Sequence, residues 1–195
     1  LSSEGKVGRI FVISAPSGTG KTTIIKKIKE IKPAIRFSIS ATTRAPRGIE
    51  VPDKDYYFIS REEFQEKIAK DEFVEWEEVF GNLYGTLKSE LITTISRGED
   101  IFLEVDVKGA LKIKGQFPEA ILIFLMPPSF EELITRLRGR STESPEQLER
   151  RISRAEMEIS QKDKFDYTVV NNDLSQCVNE VLELIEKPKT IGGNQ

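Results

Sequence analysis

The ten residues from Ser14 to Thr23, SAPSGTGKTT, constrain this chain more than any other stretch. They follow an apolar run, RIFVIS at 9–14, and precede Ile24, Ile25, Ile28 and Ile31, which repeat with helical period. A strand, a glycine-rich turn and a helix in immediate succession form a cradle for an anion. Gly18 and Gly20 let successive backbone N–H groups turn inward, because no Cβ blocks the approach. The new helix adds its positive N-terminal end. Lys21 reaches the outer phosphate oxygens as a point charge, and the Thr22 hydroxyl is an oxygen ligand for Mg²⁺. Residues 15–22 match the pattern [AG]-x-x-x-x-G-K-[ST], with Ala15 where glycine is usual. Alanine tolerates positive φ poorly, so the loop is predicted to enter through negative φ at Ala15. The competing reading, a plain strand-to-helix turn with an exposed lysine, is disfavoured by the flanking elements.

Other apolar runs read as buried strands: DIFLEV at 100–105, ILIFLM at 121–126, YTVV at 167–170 and, less regular, RFSIS at 36–40. Runs apolar on both faces suit a parallel sheet covered by helices. Helix starts are marked by Ser60 with Glu63, Ser129 with Glu132, Ser144 with Pro145 and Gln147, and Asp173 with Gln176. The last of these precedes an apolar face of Val178, Val181, Leu182 and Ile185. Strands alternating with helices imply an α/β fold, and 195 residues suffice for one domain. Residues 41–86 and 129–158 interrupt the alternation with turn residues and charged helix, so two insertions are expected in one core. The tail KPKTIGGNQ is expected to be disordered.

Composition removes several classes of chemistry. With no histidine, neither a Ser-His-Asp relay nor a His-ligated zinc is available. The single cysteine, Cys177, excludes an internal disulfide framework and suits a reducing compartment. A net charge of −3 supplies no global field for nucleic acid or anionic membrane, so an anionic ligand must be caught by local Arg and Lys. No run approaches a membrane span, and LSSEGKVGRI lacks a signal peptide's apolar region. A cytoplasmic protein without nucleic-acid or membrane partners is expected.

Glu104 and Asp106 stand two apart at the end of a predicted strand, on one face, where open α/β sheets bind ligands. A hydrated Mg²⁺ or a donor-rich base would satisfy them; a buried ion pair is the alternative. Arg44 and Arg47 lie three apart in a Thr/Pro/Gly-rich loop and suit one phosphate. Tyr56 and Tyr84 are candidate phenolic donors and Glu75 a candidate acceptor. A solvated arginine or a core tyrosine is the competing reading for each alone.

Taken in order, SAPSGTGKTT, SISATTRAPRGIE, DYYFIS, FVEWEEVFGNLYGT, LEVDVKGA and RLRGR closely resemble guanylate kinases over about residues 9–187. The resemblance implies a three-layer P-loop NTPase core with a parallel sheet, at 1–38, 87–128 and 159–195. It further implies a GMP-binding insertion at about 39–86 and a helical lid at about 129–158. The implied reaction is ATP-dependent phosphorylation of GMP, and of dGMP, with Mg²⁺. ATP would be held by Ala15, Pro16, Ser17, Gly18, Thr19, Gly20, Lys21 and Thr22, with Asn171 near the adenine. Arg44, Arg47, Tyr56 and Tyr84 would hold the GMP phosphate. Ser40, Glu75 and Thr86 would read guanine, with Glu104 and Asp106 beside it. Lys21, Arg44 and the lid residues Arg136, Arg140 and Arg151 would act on the transferring phosphoryl, whereas Arg138 and Arg154 suit a solvated helix face. Thr22, and Asp106 through water, would serve the metal. Asn172 stands where Asp is common in the family, and Glu104 where Asp is frequent. The rival reading is a non-catalytic guanylate-kinase-like interaction module, whose members typically lack the intact phosphate loop present here.

Overall fold

The computed structural model describes residues 7–139 and 144–187. The phosphate loop runs from β1 (Ile10–Ser14) into α1 (Lys21–Ile31), and β2 (Arg36–Phe37) follows. Next come β3 (Ala41–Thr42), β4 (Tyr57–Phe58), α2 (Arg61–Ala69), β5 (Phe73–Val79) and β6 (Asn82–Leu87). Helix α3 (Lys88–Ser96) leads to β7 (Ile101–Glu104), α4 (Val107–Gln116) and β8 (Ile121–Met126). The chain continues through α5 (Phe130–Arg138), α6 (Pro145–Ile159), β9 (Tyr167–Val170) and α7 (Leu174–Glu186).

Five strands form a parallel sheet in the order β2-β7-β1-β8-β9. Strand alternation explains its three layers. Ile10 and Val12 point to one face, where they pack with Leu103, Leu122 and Phe124 against Val107, Ala110 and Ile113 of α4 and Leu91 of α3. Phe11 and Ile13 point to the other, against Ile24 and Ile28 of α1 and Val178, Val181 and Ile185 of α7. Every residue of β1 is buried, which is why RIFVIS shows no polar alternation.

The second sheet, β4-β3-β6-β5, is mixed and packs its own small core of Ala41, Phe64, Phe73 and Leu83 beneath α2. Helices α5 and α6 meet through Leu133, Leu137 and Ala155, a third apolar unit set beside the phosphate loop. Ser60, Ser129 and Asp173 cap α2, α5 and α7, and Ser144 with Gln147 forms a reciprocal capping box on α6. Among the described residues no helix is long and apolar enough to cross a membrane.

Two strand expectations are corrected. RFSIS, expected as a strand over 36–40, is strand only in β2, Arg36–Phe37, and β3 begins beyond it at Ala41 in the second sheet. The strand read as 100–105 ends at Glu104, so Asp106 is not on it: its carboxylate instead caps α4, accepting from Gly109 N at 2.7 Å. The expected tail lies, beyond Lys187, outside the described residues.

Candidate active site

The phosphate loop takes the backbone its glycines require. Gly18 and Gly20 have φ of 93° and 97°. A Cβ on Gly18 would stand 3.0 Å from Leu133 of α5, and one on Gly20 2.9 Å from the Asn171 amide nitrogen. Among the described residues the non-glycine positive φ values fall on Asp53, Asp71 and Phe80, so Ala15 enters the loop without left-handed backbone. Asn171, buried just past β9, donates its side-chain amide to Thr19 O at 2.7 Å and so braces the loop. Arg136 reaches the same carbonyl at 3.5 Å while pairing with Glu132 on its own helix. Ala15, Pro16, Ser17, Gly18, Gly20 and Thr22 line a cavity that α6 closes with Arg151, Arg154 and Glu158. Thr19 itself is buried behind it. Arg140 lies outside the described residues.

A second cavity opens between the two sheets, lined by Ser40, Tyr56, Glu75, Tyr84 and Glu104. Glu75 enters it because of a β-bulge. The register of β5 against β6 shifts between Phe73 and Glu75, so Phe73, Val74 and Glu75 are buried in succession. Phe73 fills the small core, Val74 joins the main one, and Glu75 turns to the cavity opposite Thr86. The Thr86 hydroxyl donates to Glu75 Oε1 at 2.7 Å, and both residues are buried. On the far side Gly109 makes room, since a Cβ there would lie 2.7 Å from Glu75 Oε2. Burial raises the Glu75 carboxyl to about 7, a rise opposed by the Thr86 hydrogen bond and helped by the Asp106 charge. Burial likewise pushes the Tyr56 phenol up to about 12, so it remains a donor.

Arg44 is fixed behind this cavity by four hydrogen bonds. Nη1 and Nη2 fork onto Glu50 at 2.9 Å each, Nη1 also reaches Ala45 O, and Nε donates to the Tyr84 hydroxyl at 3.2 Å. The guanidinium also faces the Tyr56 ring at 5.3 Å. The fork raises the Arg44 pKa further above its ordinary value and lowers that of Glu50. Arg47 is exposed, and its backbone N–H donates to Glu50 at 2.7 Å.

The two cavities meet. Lys21, Tyr56, Val79 and Asp106 line both. Lys21 Nζ donates to Val105 O at 3.0 Å and lies 3.7 Å from Glu104 Oε1, which aims it at the junction. Arg154 corrects the solvated-face expectation: it is part-buried, with Nη2 on Asp106 Oδ2 and Nε on Glu158 Oε1, both at 2.8 Å. Arg138 is exposed, as that expectation had it. Glu50, Phe80 and Glu158 belong to the site without having been singled out. For Glu50 the spacing RAPRGIE held a signal, a carboxylate six residues from Arg44, but the loop's turn could not be inferred from it.

The chain as a whole has counterparts among known proteins. Residues 7–188 match the family model described as guanylate kinase. A guanylate kinase of Chlorobaculum tepidum is 50% identical over 175 residues, 89% of this chain and 90% of its own length. That of Gloeobacter violaceus is 46% identical over 179 residues, 92% of this chain and 87% of its own. The crystal structure of guanylate kinase from Anaplasma phagocytophilum matches with a TM-score of 0.76 at 35% identity, covering 92% of this chain and 85% of that one. By that family match and those identities over most of its length, the chain belongs to the guanylate kinase family.

Proposed function

We propose that this chain transfers the γ-phosphoryl group of ATP to GMP, and to dGMP, giving ADP and GDP or dGDP. The carrying observation is the meeting of the two cavities at Lys21, Tyr56, Val79 and Asp106. A phosphate cradle on one side and a buried carboxylate on the other support a donor and an acceptor bound end to end. The complete phosphate loop is also why a catalytic role is preferred to a binding module.

The core, the insertion at about 39–86 and the lid at about 129–158 divide the work as donor site, acceptor site and cover. Glu75 accepts N1–H and N2–H₂ of guanine together, a donor pair adenine does not present at that edge. Ser40 and Thr86 complete the base site, with Glu104 and Asp106 beside it. Arg44, Arg47, Tyr56 and Tyr84 hold the acceptor phosphate, whose oxygen is already ionised, so no general base is needed. Lys21, Arg44, Arg136, Arg140 and Arg151 stabilise charge on the transferring group, and Asn171 supports the loop near the adenine. Closure of insertion and lid excludes water that would hydrolyse ATP.

Mg²⁺ fits the oxygen donors present. Thr22 and Asp106 line the donor cavity and offer two oxygen donors there. That suits an ion held by one or two protein oxygens together with phosphates and water. When bound, it neutralises charge on the phosphates. Water-soluble substrates accord with the expected cytoplasmic setting.

The test is ATP-dependent phosphorylation across GMP, dGMP, IMP, AMP, CMP and UMP. GMP and dGMP are expected to lead, with IMP, which lacks the N2 donors, about 1–3 kcal/mol worse in kcat/KM. Preference for any other acceptor overturns the assignment.

A further inference from the structure

The β5–β6 hairpin turns through Phe80 and Gly81, both at positive φ, 50° and 81°. Such a turn ordinarily selects asparagine or aspartate before the glycine. A bulky aromatic there is an outlier that holds backbone strain, and Phe80 also leaves 54% of its surface exposed. Neither feature serves the small core of Ala41, Phe64, Phe73 and Leu83, to which Phe80 does not belong. What Phe80 does contact is the lid helix. Arg151 and Arg154 stand one turn apart on α6, with guanidinium carbons 5.2 Å and 5.8 Å from the Phe80 ring centre. Arg154 is further anchored on Asp106 and Glu158, and Phe80 lines the donor cavity beside both arginines.

We propose that Phe80 is a positioning residue that clasps Arg151 and Arg154 and so couples occupancy of the acceptor site to binding of the donor phosphates. Glu75 and Phe80 lie on one continuous hairpin. Guanine fixed at Glu75 therefore fixes the ring on which Arg151 rests, and Arg151 is one of the cations facing the donor phosphates. The link runs both ways, since linked binding equilibria are reciprocal. The aromatic face is essential to it, because a cation is drawn to the ring's quadrupole rather than to apolar bulk.

The inference rests on the proposed ATP and GMP sites, and its test separates the two. Affinity for a non-hydrolysable ATP analogue is measured by calorimetry with and without GMP, alongside steady-state kinetics. Wild type is expected to bind the analogue more tightly when GMP is present. Phe80→Ala and Phe80→Leu should each remove most of that gain and raise the ATP KM about five- to thirtyfold, the loss expected from two exposed cation–π contacts. GMP affinity measured alone should barely change, and Phe80→Trp should restore the coupling. A Leu variant indistinguishable from wild type, or a wild type without coupling, overturns the clasp while leaving the kinase assignment intact. A wild type that fails to phosphorylate GMP overturns that assignment and the clasp with it.

Discussion

Thr86 and Glu75 face each other across β6 and β5, and the threonine hydroxyl donates to the glutamate at 2.7 Å in a buried setting. One carboxylate oxygen is thus engaged by the protein, and in the proposed GMP complex the two donors of guanine meet the carboxylate from the cavity side. Only the ionised carboxylate can accept both. Burial has raised its pKa to about 7, so the group titrates within the working range. Below that pH the carboxyl carries a proton and the GMP KM should rise, about tenfold per pH unit, while above it the KM should be flat. Bound guanine donors favour the ionised form, so kcat should hold to lower pH than kcat/KM does. The phosphate of GMP itself titrates near pH 6, so the Glu75→Gln profile is the reference. Its kcat/KM should lack the limb near 7; persistence of that limb would assign the titration elsewhere.

Thr86→Val keeps the shape of the side chain and deletes the donor. The hydroxyl's hydrogen bond lowers the Glu75 pKa, so its loss should move the acidic limb of kcat/KM for GMP to higher pH. A buried acceptor left without its partner loses about 1–3 kcal/mol, and GMP use at neutral pH should suffer accordingly. Thr86→Ser retains the donor and should behave like wild type. Equal profiles for Val and Ser would show that the hydroxyl does not tune the carboxylate.

The same burial has a stability consequence. Below the ordinary carboxyl pKa of 4.5, folded and unfolded chains both hold the Glu75 proton. Above about 7 neither does, and the folded chain carries a buried charge. Stability is therefore present at low pH and lost as pH rises from about 4.5 through 7, by on the order of 3 kcal/mol. Glu75→Gln cannot ionise and still accepts from Thr86. Its melting temperature should exceed that of wild type clearly at pH 8 and by much less near pH 5. A gain of equal size at both pH values would rule out ionisation as the cause.

How much of this was legible in the sequence depends on how each part is buried. Strands covered on both faces leave uninterrupted apolar runs, and β1, β7 and β8 fall where such runs predicted them, within a residue or two. Strand β9 also falls on its run, but as an edge strand in which only Val169 is buried, not as the buried strand expected. The second sheet leaves no such trace. Its strands β3 and β4 have two residues each, too few for a period, and the bulge in β5 breaks the alternation at the very residue that matters, Glu75. The loop glycines were legible because phosphate chemistry dictates them. Arg154 was not, because its partner Asp106 is 48 residues away and the helix pattern alone reads as solvated. Phe80 was invisible for a related reason: sequence pattern does not say which hairpin tip will meet which helix.

Arg44 offers the sharpest check on the acceptor side. Its guanidinium is only 8% exposed, and Glu50, Ala45 and Tyr84 fix its plane. The fork onto Glu50 orients the cation, which also faces the Tyr56 ring. Lysine would keep the charge and lose the fork, since an ammonium group cannot bind two carboxylate oxygens in one plane. Arg44→Lys should therefore lower kcat/KM for GMP by about 2–3 kcal/mol, the worth of a charge-assisted hydrogen bond to phosphate. The KM for ATP should change far less, because the donor loop is untouched. Folding should be affected little, as Glu50 is part-exposed and can turn to water. The measurement is a two-substrate kinetic analysis with a melting curve as control. A loss shared equally by ATP and GMP would show that Arg44 acts mainly on the transferring group and not on the acceptor phosphate alone, and a loss under threefold would leave the orienting role of Glu50 without function.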